Sequence, residues 1–153
     1  MYDIEDLQPN QLGHHDERTI LTDSYGRIAR KLRISVTDRC NMRCMYCMPK
    51  GKVQWFNEEN ILNYDEIMGI ERIRLTGGEP LLRPKLEDLI SSLSKIKGIK
   101  SISMTTNGLL LGYEVKQLRN AGLENVNISL DTFKQDRFKA ITGIDGLKKV
   151  IAL

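Results

Sequence analysis

An α/β fold built on a parallel sheet is the architecture this sequence predicts, and three observations predict it. Short runs with alternating apolar residues recur along the chain, helix-like segments separate them, and glycine or polar residues follow each run at the same end. Strands that alternate with helices form βαβ units on a parallel sheet. In such sheets ligands bind at the C-terminal strand edge.

Residues 1–24 are polar, with Pro9, Asn10 and Gly13 and no clear period, and read as an N-terminal arm. His14 and His15 stand there beside Asp16 and Glu17 and read as solvated surface residues. Residues 25–153 form the core domain. "KLRISVT" (31–37) alternates Leu32, Ile34 and Val36 and reads as the first strand. "RIRLT" (72–76), "KSISMTT" (100–106) and "NVNISLD" (125–131) are the second, third and fourth. Between the second and third, Leu86, Leu89, Ile90, Leu93 and Ile96 fall near a helical period. Pro84 suits that helix's first turn, and Gly98 its C-terminal cap. A second helix spans about Tyr113–Asn120 with Gly122 as its stop, and a third begins near Gly146. Four special stretches thus converge on one rim: Cys40, "GGEP" (77–80), "TTNG" (105–108), and Ser129 with Asp131.

The chain's 153 residues are one domain's worth, enough to bury a real core. With 41% apolar and 28% charged residues it has an ordinary globular composition. A net charge of +3 is too modest for a dedicated nucleic-acid binder, and it suits an anionic small molecule. Its apolar runs are too short to span a membrane. The acidic start "MYDIEDLQPN" lacks a signal-peptide core, so a cytoplasmic location is expected.

All three cysteines lie within eight residues, as Cys40, Cys44 and Cys47, spaced C-x3-C-x2-C. An odd, tight cluster is no disulfide framework. Inert core thiols would be scattered, structural zinc wants four ligands, and a redox dithiol needs only two. A three-thiolate iron–sulfur cube fits best. Ordinary cubes use four cysteines, so three leave one iron with an open position.

This spacing, with Tyr46 before the last cysteine and "GGEP" downstream, resembles the signature of the radical S-adenosylmethionine (SAM) superfamily. "DSYGRIARKLRISVTDRCNMRCMYCMP" (23–49), "IRLTGGEPLLRP" (73–84), "MTTNGLLL" (104–111) and "VNISLDTFKQDRFKAITG" (126–143) resemble, within it, the GTP 3′,8-cyclase family of molybdenum cofactor biosynthesis. The likeness covers roughly residues 19–153 and implies a partial (β/α) radical-SAM barrel with parallel strands, truncated after about four. It implies that Cys40, Cys44 and Cys47 hold a [4Fe–4S] cluster whose fourth iron binds SAM. An electron donor then drives SAM cleavage to a 5′-deoxyadenosyl radical, which starts cyclisation of GTP to (8S)-3′,8-cyclo-7,8-dihydroguanosine 5′-triphosphate. By the same resemblance Tyr46, Gly78 and Ser129 contact SAM, and Arg33, Arg74 and Thr105 face GTP.

Read from the residues alone, Arg33 and Arg74 either point into a barrel lumen, where an anion could pair with them, or snorkel outward over a helix. Glu79 either accepts from a cationic amine or caps the start of the following helix. Met42, Met45 and Met48 either shield a cluster or simply pack. Asn107–Gly108 reads as a generic turn.

The chain departs from the family in two places. Parallel neighbours need a crossover of about a dozen residues, and "FNEENILNYDEI" (56–67) offers only a short one. After Leu153 the family continues with further strands and a second cysteine trio that binds the GTP base. A fragment without the principal substrate site is therefore expected. Its unpaired fourth strand invites association, including a homodimer. Two alternatives stand beside this reading: another radical SAM enzyme of the peptide-modifying type, and a non-catalytic iron–sulfur or zinc-binding module.

Overall fold

The computed structural model describes residues 21–47 and 70–153. The expected arm up to residue 20, with its two histidines, the short crossover at 56–67 and Met48 lie outside the described residues. Four strands form one sheet in the order β1 (Lys31–Ser35), β2 (Arg72–Thr76), β3 (Ser101–Thr106) and β4 (Asn125–Ile128). All three pairings are parallel, as the alternation of strands and helices predicts. The first and last strands end earlier than expected because the chain peels into loops, yet Val36 N–H still donates to Thr76 O and Ser129 N–H to Thr106 O.

The two sheet faces differ sharply. Ile73 and Leu75 of β2 and Ile102 and Met104 of β3 alternate onto one face and are fully buried. They pack with Leu86, Ile90 and Leu93 of α1 (Leu86–Ser94) and with Leu111 and Leu118 of α2 (Leu111–Ala121). The opposite face carries Arg33, Arg72, Arg74, Ser103 and Asn127. Arg33 and Arg74 are therefore on the face away from α1 and α2 and do not snorkel over either.

Helix ends also differ from expectation. α1 starts two residues after Pro84, behind Lys85 at φ +57° with no side-chain cap. It stops at Ser94, so Gly98 (φ +106°) belongs to the turn before β3 and not to the cap. Pro80 opens a separate 3-10 turn, Pro80–Leu82, that the sequence reading missed. α2 ends as expected at Gly122, whose φ of +114° an L side chain adopts only with strain. α3 (Gln135–Thr142), unforeseen, and α4 (Leu147–Ile151), foreseen from Gly146, follow β4. Phe138, Leu147 and Val150 join Met42 in a second small core beneath the cysteine loop. No helix among the described residues is long and apolar enough to cross a membrane.

Candidate functional site

The segment from β1 to the first cysteine is fixed by the glycine loop after β2. Gly78 N–H donates to Thr37 O and Glu79 N–H to Arg39 O, both at 2.7 Å. A Cβ on Gly78 would collide with the Arg39 carbonyl, and one on Gly77 with that of Thr37. Both glycines are thus required by this backbone contact, and Gly77 also by its φ of +143°. Arg83, unremarked in the sequence, adds a bond from Nη1 to Val36 O at 2.7 Å.

Glu79 is the hub of the rim. Its carboxylate, buried to 1% exposure, accepts from Thr106 Oγ1 at 2.6 Å and from Asn107 N–H at 2.8 Å. It also accepts from Leu81 N–H at 3.2 Å, capping the 3-10 turn. The capping alternative therefore holds. Asn107 in turn donates from Nδ2 to Asn41 Oδ1 at 2.7 Å, reaching the residue beside Cys40. Asn107 is half of a turn and also a strut, which its type and spacing could not reveal.

α3 supplies the floor of the cysteine loop. Arg43 N–H donates to Thr142 O at 2.9 Å and Met45 N–H to Ile141 O at 3.0 Å. Met42 is buried against Phe138, while Met45 is exposed, so the methionines split between packing and surface. Burial, above all, pushes the Cys40 and Cys44 thiols above their ordinary range, and neighbouring anionic groups add to it. Loading a metal there must displace protons, so higher pH favours it. The Tyr46 hydroxyl donates to Asp131 Oδ2 at 2.7 Å, and that bond pushes the phenol well above the usual tyrosine range.

One cavity of about 210 Å³ gathers Cys40, Cys44, Cys47, Tyr46, Gly78, Thr105 and Ser129. Arg33 and Arg74 are not in it. They line a wider groove of about 760 Å³ along the sheet face away from α1 and α2, with Lys31, Arg72 and Lys100, the last paired with Glu71 at 3.1 Å, and among the described residues no carboxylate lines it. Arg33 stands opposite Arg74 in register, and Lys31 opposite Arg72. Like charges directly opposite are unfavourable, so this face gains from an anionic occupant.

The donor set fits an iron–sulfur cube. All three thiols are free. The three line one cavity together, and a cube offers each sulfur its own iron.

Residues 34–153 match the Radical SAM superfamily. The chain is 49% identical over 140 residues to a GTP 3′,8-cyclase of Clostridium perfringens (strain 13 / Type A), covering 86% of this chain and 43% of that protein. It is 45% identical over 140 residues to the GTP 3′,8-cyclase of Lactiplantibacillus plantarum, covering 86% and 42%. It is 46% identical over 145 residues to that of Peptoclostridium acidaminophilum, covering 89% and 45%. The chain thus spans less than half the length of these curated relatives. With its four-stranded parallel sheet and its cysteine trio at the strand rim, the chain belongs to the radical SAM superfamily, whose cofactors are a [4Fe–4S] cluster and S-adenosylmethionine.

Proposed function

We propose that this chain is the SAM-cleaving part of a GTP 3′,8-cyclase, with Cys40, Cys44 and Cys47 as the cluster ligands. The observation that carries the reading is the placement of two sites on one sheet: the three thiols line a cavity at the C-terminal strand ends, and Arg33 and Arg74 line a cationic groove along the sheet face away from α1 and α2. The relatives named GTP 3′,8-cyclase support the same substrate. Held by Cys40, Cys44 and Cys47, a reduced cluster would supply the electron for reductive cleavage of SAM.

The chain's own groups orient the two small molecules. The Gly78 and Glu79 N–H groups are committed to Thr37 and Arg39, so the loop's carbonyl oxygens are what it can offer to SAM's ammonium, a pure donor. Ser129 uses its backbone N–H on Thr106 and lines the cavity. Tyr46 has its hydroxyl engaged by Asp131, which leaves its backbone for SAM. Arg33 and Arg74 present planar, always-charged forks suited to phosphate oxygens, and Thr105 lines the cavity itself, two residues beyond Ser103, which pairs with Arg74.

Anaerobic reconstitution with iron and sulfide, followed by reduction in the presence of SAM, tests the reading. We expect 5′-deoxyadenosine from the wild-type chain and none from Cys40→Ala. An iron–sulfur absorption band with no 5′-deoxyadenosine would sink the enzyme assignment. One zinc per chain and no sulfide would sink the cluster as well.

A further inference from the structure

The cysteine loop is held at three places by residues distant in sequence. Asn107 holds its start through Asn41, and the end of α3 holds its middle through the backbone of Arg43 and Met45. Its last described anchor is the bond from Tyr46 to Asp131, which joins residues 85 apart. Tyr46 directly precedes Cys47, and a tight turn from Cys47 N–H to Cys44 O at 3.1 Å makes these residues one rigid step. Tyr46 is 69% exposed, so burial does not fix its place; its hydroxyl is bonded to Asp131 and lies within reach of the Cys44 side chain. Asp131 is itself well carried. It lies two residues past Ser129, which is still tied to β3, and next to Leu130, which packs into the second core.

We propose that Asp131 is a positioning residue for the cluster: through the Tyr46 hydroxyl it sets where the Cys47 thiol stands relative to those of Cys40 and Cys44. The carboxylate acts as a charged acceptor, and bonds to an ionised partner are the shorter and stronger ones. Its role is that of the outer groups that orient metal ligands without touching the metal. The proposal rests on the reading that the three thiols hold the cluster.

Anaerobically reconstituted 153-residue chains would be exposed to a ferrous chelator and the rate of iron release followed. Asp131→Ala and Tyr46→Phe are each expected to speed release by about tenfold. The double variant is expected to be no faster than either single one, because both remove the same bond. Asp131→Asn retains an acceptor oxygen and is expected to stay within about threefold of wild type. Melting of the metal-free chains should shift little, since the pair is exposed. Unchanged release, additive effects, or faster release that merely tracks a lower melting temperature would overturn the role of Asp131. A wild-type chain that takes up no iron and sulfide would overturn the cluster reading itself, and this inference with it.

Discussion

Glu79 is buried, yet every hydrogen-bond partner it has among the described residues is a neutral donor: a hydroxyl and two backbone N–H groups. Replacing it with alanine would leave those donors unpaired in the interior, at a cost on the order of 3 kcal/mol. Glutamine does not restore it. Thr106 Oγ1 accepts from Gly108 N–H and must donate to position 79, so the amide NH2 would face another donor. We expect urea unfolding midpoints to fall for Glu79→Ala and, by less, for Glu79→Gln. A glutamine variant as stable as wild type would contradict this hydrogen-bond assignment. From the sequence, both roles of this glutamate were visible, and the structure shows the cap in place. The cysteines were legible because three thiols with short spacing admit few chemistries. The Tyr46–Asp131 and Asn41–Asn107 pairs were not, since each joins residues whose proximity is created by the sheet.

The strands were readable because residues on one face are apolar and those on the other polar, the period-2 signal of a sheet packed on one side. The same alternation marked Arg33 and Arg74 as sharing a face, while only the helices' position showed which face it was. α3 escaped because its helical face is short: Phe138 and Thr142 are its buried residues, and Gly143 its stop. Proline and glycine misled at α1, where Pro84 stands outside the helix and the chain turns through Lys85 in the left-handed region. A lysine there is strained by about 1 kcal/mol, which glycine would avoid. Lys85→Gly is therefore expected to stabilise the chain by up to about 1 kcal/mol, seen as a higher denaturation midpoint. A lower midpoint would mean that this residue does not adopt the positive φ.

As a whole the molecule is two-sided, with a helix-packed apolar face and a cationic open one. The Arg33–Arg74 and Lys31–Arg72 alignments hold like charges together across β1 and β2. A bound polyanion relieves that repulsion and stabilises the fold by mass action. Triphosphate at about a hundred times its Kd is expected to add about 2.7 kcal/mol, and the melting temperature reads this directly. Arg74→Ala should remove most of the gain, and high salt should shrink it by screening. An equal rise with Arg74→Ala would place the anion elsewhere. The floor of the cysteine loop has a further consequence, in time instead of space. Arg43 and Met45 reach Thr142 and Ile141, and Met42 reaches Phe138 and Val150, about a hundred residues further along the chain. Such distant contacts form late in folding. The thiols leave the ribosome before the residues that seat them, and that seat exists only once the fourth strand and the helix after it are in place. Metal capture is thereby made a closing event of folding, and a nascent chain that stalls before α3 carries three cysteines with nothing to hold them in register.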